Sequence, residues 1–261
     1  MQTGSILDAY VKSAPSPQHA IDIFKGEWAS VFPPPYHTLK AGALATFQDG
    51  RIVWALTDLG GCVEQRVLEL GPLEGGHSFM LHHAGASEVI AIEANTRAYL
   101  KCLIAKEILG LERVRFLCGD FVPYFEETSE RFDLILASGV LYHMRDPIGL
   151  IRQLSRHTDR VYMWTQYYDK AVMDSKPHLK VRYPSHNKAE CDGFHYTQHK
   201  QEYQNSLGVA GYCGGSADYS IWLSREDLLG ALRYFGFANI RIANENLEHP
   251  HGPCFDLAAF K

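Results

Sequence analysis

None of the six cysteines (Cys62, Cys102, Cys118, Cys191, Cys213 and Cys254) pairs with another as Cys-x-x-Cys. That spacing argues against a structural zinc site or a dithiol redox centre, and for reduced thiols. Cys102 and Cys118 fall inside expected regular elements, where a thiol packs as a small apolar group. No apolar run approaches the roughly 18 residues of a membrane span. The stretch from Met1 to Pro17 lacks the basic-then-apolar pattern of a secretory signal, so a cytoplasmic location is expected. Positive charge is also short. Lys and Arg total 25 against 30 acids, a net charge of −5, which does not suit a general nucleic-acid binder. No Gly-x-Gly-x-x-Gly fingerprint, internal repeat, low-complexity tract or catalytic triad is visible.

What is present is apolar content, 46% of 261 residues, enough for a sizeable core. Residues 1–65 read as a helical arm or cap too small for its own core. A short helix is expected at His19–Phe24 and another at Arg51–Leu59, with Pro33-Pro34-Pro35 an extended connector between them. Trp28 and Tyr36 are expected to pack. From Arg66 onward, short apolar strands alternate with helices. Strands are predicted at 66–70, 88–92, 113–117, 131–137 and 159–166, as in an α/β parallel sheet covered on both faces. Helices are predicted at 75–84, at 95–109 and from Asp146-Pro147. Alternation stops over 167–220, a Tyr-, His- and Lys-rich stretch with little periodicity that reads as an inserted lid. A capped helix follows at Ser224, then two closing strands at 238–243 and 254–260.

Three acids sit where successive strands end: Glu69 in the first, Glu93 after the second, Asp120 after the third. Ligands of such sheets lie outside the carboxyl ends of the strands, so all three are expected at one crevice. Glu93 follows Gly71 at about the 20-residue spacing of an acid that accepts from ribose hydroxyls. It could equally cap a helix, as Asp120 could serve only a turn. The turn itself reads Gly71-x-x-x-Gly75-Gly76. Glu69 beside it would repel a pyrophosphate but suit a cationic amino group. A nucleoside joined to an amino acid fits better than a dinucleotide, and a nicotinamide oxidoreductase is disfavoured.

Glu69-x-Gly71-x-x-x-Gly75, Glu93, Gly119-Asp120 and Phe132-Asp133-Leu134-Ile135 resemble the ordered motifs of class I S-adenosylmethionine-dependent methyltransferases. The resemblance covers roughly residues 64–165, and more weakly 221–260. It implies a Rossmann-like, doubly wound, seven-stranded sheet whose last strand is antiparallel. It implies S-adenosylmethionine as cofactor, with Gly71 at the methionine part, Glu93 on the ribose and Asp120 at the adenine amino group. Glu69, Pro72, Gly75, His77, Ala94, Phe121, Ser138 and Gly139 complete the implied cofactor set. Pro72 departs from the family by removing one N–H donor. Ser138-Gly139-Val140-Leu141-Tyr142-His143-Met144-Arg145-Asp146-Pro147 further resembles a subfamily that includes enzymes carboxymethylating the tRNA wobble uridine. Those enzymes hold a carboxylated cofactor partly through an Arg near the last strand and the Tyr of this motif. Tyr142 matches, but Gly252-Pro253-Cys254-Phe255 offers no base, so the ordinary cofactor is expected.

Tyr142 and His143 fall where the reactive methyl is expected, with His143 a candidate general base. His195 and Tyr196 in the insertion are candidate substrate contacts, and the spacing predicts that His195 and His199 share a helix face. No metal is expected there or at His82-His83. Tyrosines among Lys176, Lys180, Arg182, Lys188 and Lys200 could stack on bases or sugar rings. The reading that follows is in-line methyl transfer to a small molecule, a sugar or natural-product intermediate. tRNA modification is the alternative, and a non-catalytic cofactor-binding regulator is the rival from another class.

Overall fold

The architecture follows from a period-two pattern in the strands. In β1 (Arg66–Leu70), Leu68 and Leu70 face one hydrophobic cluster and Val67 the other. The same division holds in β2 (Glu88–Glu93), with Ile90 and Ile92 against Val89 and Ala91. Both faces of the sheet are therefore covered, which requires helices on each side. The structure is a computed structural model and describes residues 9–208 and 214–261. Cys213 and the first eight residues of the N-terminal stretch lie outside the described residues.

β3 (Val114–Cys118), β4 (Leu134–Ser138) and β5 (Arg160–Gln166) complete the parallel part of the sheet. β6 (Ser185–Cys191), β7 (Phe194–Glu202) and β8 (Tyr219–Trp222) form a separate three-stranded antiparallel sheet. β9 (Asn239–Asn246) and β10 (Cys254–Phe260) return to the main sheet. Its order is β3-β2-β1-β4-β5-β10-β9. β10 runs antiparallel to both β5 and β9. The sheet is thus doubly wound and seven-stranded with an antiparallel last strand, as expected. Strand order reverses between β1 and β4, which are direct neighbours, and this switch point opens a crevice at their carboxyl ends.

Local chemistry sets the helix boundaries. α1 (Pro17–Asp22) starts two residues before its expected position because the Ser16 side chain accepts from Gln18 N and Pro17 fills the first turn. α2 (Gly50–Asp58) is capped by Asp49. α3 (Gly76–His83) follows the glycine turn. α4 (Thr96–Leu109) is capped by Asn95 and stopped by Gly110 in the left-handed region. α5 (Phe121–Glu127), capped by Asp120, is too short to show an apolar period and was not expected. α6 (Pro147–His157) has the Asp146 cap and first-turn proline read from the sequence. α7 (Lys170–Ser175) and α8 (Pro177–Lys180) open the insertion. α9 (Arg225–Tyr234) is capped by Ser224.

Two local expectations are corrected. The insertion, aperiodic in sequence, carries the second sheet. Its β6–β7 hairpin turns on Asp192 (φ 47°) and Gly193 (φ 86°), the Asp-Gly pair a two-residue primed turn requires. His195 and His199 consequently lie on a strand, not on a helix face. Cys118, at the end of β3, is exposed, whereas Cys102 on α4 is buried. In the arm, Ile21, Phe24, Trp28, Phe32 and Phe47 pack with Ala105 of α4. Among the described residues, no helix is long and apolar enough to cross a membrane.

Candidate active site

The turn after β1 brings bare backbone to the switch point. Gly71 adopts φ 63°, and its N–H donates to the Ile92 carbonyl at 3.0 Å. Gly75 adopts φ 79°, and a Cβ there would stand 2.9 Å from the Phe116 ring. Both needs exclude a side chain. Glu93 closes the turn from the neighbouring strand. Its Oε2 accepts from Leu73 N at 3.1 Å and its Oε1 from Asn95 N at 2.8 Å. Burial raises the Glu93 pKa, while backbone N–H donors pull the other way. Each oxygen keeps a lone pair for a ligand hydroxyl.

A cavity of about 390 Å³ fills the crevice. Of the residues expected from the sequence, Gly71, Glu93, Ala94, Phe121, Ser138, Gly139, Tyr142 and His143 line it. Leu73, Ile92, Asn95, Ala98, Val140, Met144, Gly215 and Ser216 complete the wall. Asp120 instead lines an adjoining cavity of about 280 Å³ that shares Ala94, Phe121 and His143 with the first. Its Oδ1 accepts from Val122 N at 2.8 Å, so it caps α5 from the edge of the site.

Glu69, Pro72, Gly75 and His77 are not on the wall. Pro72 keeps its carbonyl for the turn, accepting from Gly75 N at 2.9 Å. Glu69 is buried on the α3 side of β1, where it accepts from the Ser78 hydroxyl. Burial raises its pKa. His77 sits 3.7 Å from Glu69 Oε1 and 3.1 Å from Asp49 Oδ2. Arg51 forks onto the same Asp49 carboxylate at 2.6 and 3.0 Å. This chain of groups ties the arm to the back of the turn, and no local sequence pattern announces it.

His195 and Tyr196 are not part of the crevice. His195 is exposed on β7, and Tyr196 is buried in the main cluster with Phe194 against it. Tyr142 and His143 lie in a 3₁₀ turn after β4 (Leu141–His143). The Tyr142 ring meets His143 at 4.1 Å, Trp164 at 5.6 Å and Trp222 at 6.0 Å. Burial lowers the His143 pKa to about 4, helped by the Arg182 charge, so its imidazole is neutral at ordinary pH. His143 Nδ1 and the Tyr203 hydroxyl are in hydrogen-bond contact at 2.7 Å. No group of three or more His, Cys, Asp or Glu among the described residues could hold a metal ion.

These residues fit a nucleoside joined to an amino acid. Glu93 faces the crevice with lone pairs for ribose hydroxyls, and Ile92, Val140, Phe121 and Met144 offer apolar walls for a purine. The strand order and the switch-point cavity define a class I methyltransferase fold. Residues 63–211 match the family described as "Methyltransferase domain", more than half of the chain, and the protein belongs to that family.

Solved structures share the fold. The N-terminal domain of EvdMO1, crystallised in the presence of SAH and D-fucose, has a TM-score of 0.68 at 21% identity, covering 94% of each chain. Magnesium protoporphyrin IX methyltransferase from Synechocystis PCC 6803, with bound SAH, has a TM-score of 0.54 at 16% identity, covering 82% of this chain and 81% of that one. Among curated proteins, a tRNA U34 carboxymethyltransferase of Campylobacter hominis is 26% identical over 108 residues, 40% of this chain and 37% of that protein. One from Methylococcus capsulatus is 31% identical over 104 residues, 40% of this chain and 31% of that protein. The chain thus matches about a third of the length of these curated relatives.

Proposed function

We propose that this protein transfers the methyl group of S-adenosylmethionine to a hydroxyl of a small polar molecule, a sugar or a natural-product intermediate. The observation that carries the reading is the crevice itself. Its wall joins Tyr142 and His143 of the main domain to Gly215 and Ser216 of the insertion, around a cavity of about 390 Å³. Such an enclosure suits a small acceptor. We read residues 1–65 as a cap packed on the back of the glycine turn and about 167–220 as a lid over this site. The D-fucose named with EvdMO1 supports the same substrate class.

In this reading Glu93 holds the ribose, Gly71 lies against the methionine part, and Ala94 and Phe121 flank the purine with Asp120 at its edge. Ser138 and Gly139 border the sulfonium side. Glu69, Pro72, Gly75 and His77 act by shaping the turn. The cofactor supplies an electrophilic methyl on a positively charged sulfur. The acceptor oxygen bonds to the methyl carbon as the carbon–sulfur bond breaks and sulfur keeps the electron pair. Neutral His143 takes the hydroxyl proton. The remaining contribution is alignment of the two reactants and exclusion of water.

The test is incubation with isotope-labelled S-adenosylmethionine and a panel of monosaccharides that includes D-fucose. Label transfer to a sugar, lost in His143→Ala, is expected. Transfer to tRNA and to no sugar would overturn the reading. The tRNA alternative is favoured by the Ser138–Pro147 likeness and the curated relatives. Against it, the insertion's cations are largely spent within the chain. Lys170 and Lys180 pair with Asp174, Lys176 with Glu248 and Lys200 with Glu202. A phosphate-tracking face needs such charges available.

A further inference from the structure

We infer that Tyr203, supplied by the insertion, is a positioning residue that holds His143 as the tautomer protonated on Nδ1. The inference rests on the proposed role of His143 as general base. Its foundation is geometric. The two ring nitrogens of a neutral imidazole differ, and the partner of one decides what the other can do. Nδ1 of His143 is in contact with the Tyr203 hydroxyl at 2.7 Å. Nε2 is then the nitrogen left for the cavity that His143 lines.

A base needs a lone pair on Nε2, so Nδ1 must carry the proton and donate it to the Tyr203 oxygen. When the acceptor oxygen bonds to the methyl carbon, its proton moves to Nε2. The resulting imidazolium still donates from Nδ1 to Tyr203, which keeps the buried cation hydrogen-bonded. This compensation matters because burial and the Arg182 charge both disfavour the charged ring.

The scaffold holds Tyr203 tightly enough for this task. It is 6% exposed and follows β7 directly. Its N–H donates to the Asp218 carbonyl at 3.1 Å, and Glu202 N donates to the Arg182 carbonyl at 2.8 Å. The 3₁₀ turn bearing His143 is tied to the same sheet, since Ile221 N donates to the Met144 carbonyl at 2.8 Å. One antiparallel sheet thus fixes both partners. The insertion does more than cover the crevice: it sets which nitrogen faces the acceptor.

The experiment is nitrogen-15 NMR of the histidine rings in the full chain near neutral pH, assigned through His143→Gln. The wild-type protein is expected to show His143 protonated on Nδ1 and bare on Nε2. Tyr203→Phe keeps the ring and removes the hydroxyl, and is expected to move the population toward the Nε2–H form. A wild-type ring protonated on Nε2 overturns the inference, as does an unchanged tautomer in Tyr203→Phe. The wild-type spectrum decides the assignment even if the variant fails to fold. Label transfer from S-adenosylmethionine to D-fucose by His143→Gln is a separate arm. Full transfer there sinks the general-base reading and leaves the tautomer assignment standing.

Discussion

Glu93 carries two duties that a substitution can separate. It braces the turn through Leu73 N and Asn95 N, and it faces the cavity. Glu93→Gln keeps one acceptor oxygen for the brace but replaces the other with a donor, which a ribose hydroxyl pair meets poorly. We expect S-adenosylmethionine affinity by calorimetry to fall about tenfold, equivalent to ~1.4 kcal/mol. Unchanged affinity would remove Glu93 from the ribose role. At Gly75, alanine adds both a φ 79° penalty and a 2.9 Å approach to the Phe116 ring. Gly75→Ala should cost roughly 1–3 kcal/mol in denaturant unfolding, and a loss below 0.5 kcal/mol would refute that steric account (threshold on the order of the usual surface effect). Both residues were legible because their signals are local: an acid at a strand end, a glycine at a turn. Glu74 was not. It reads as one more turn acid, yet it is buried, accepting from Ala29 N and Ser30 N and pairing with Lys101. Its partners come from the arm and from α4, and no short window of sequence holds them.

At the scale of elements, legibility tracked burial. The strands of the main sheet are apolar runs, and their order, together with the antiparallel return of β10, is what the family resemblance implies. β6 and β7 are polar on much of both faces, so apolar periodicity could not find them. The Asp192-Gly193 turn between them was the available signal. α5 was hidden for a different reason, because two turns hold too few residues to show a period. The joint between arm and main domain is the element-scale claim most open to test. Lys101 Nζ donates to the Glu74 carboxylate at 2.5 Å and to the Glu27 carbonyl at 2.9 Å, all under the Trp28 ring. Lys101→Met strands a buried carboxylate, a change that typically costs about 3–5 kcal/mol. The double variant Glu74→Gln with Lys101→Met should recover part of that loss, since the amide needs no counter-charge. Equal loss in the single and the double variant would show that the pair's charge is not what anchors the arm.

For the whole molecule, buried titratable groups of both kinds shape how stability responds to acid, and the histidines give one of the two signs. His199 lies against Tyr168, ring on ring at 3.7 Å, with its Nδ1 at 2.7 Å from that of His186. Burial lowers its pKa to about 4, and the His186 charge adds to the effect. His143 is likewise lowered to about 4. In the unfolded chain both return to about 6.5. Between those limits the unfolded state binds more protons than the folded one, so stability falls as pH drops from about 6.5 toward 4. Buried Glu69, Glu93 and Asp256 act in the opposite direction, because burial raises their pKa values and the folded state then holds protons the unfolded chain releases. The net slope mixes both signs, whereas a difference between variants isolates one. His199→Gln removes a titrating group from the insertion's sheet while leaving the crevice residues in place. Its unfolding free energy should therefore decline less than that of the wild type between pH 6.5 and 4, by up to about 3 kcal/mol. Denaturant melts across that range, compared as slopes, absorb whatever constant packing loss the glutamine introduces. Parallel slopes would mean that His199 is protonated as readily in the folded sheet as in the unfolded chain, and the stacked Tyr168–His199 pair could then not be the source of acid sensitivity.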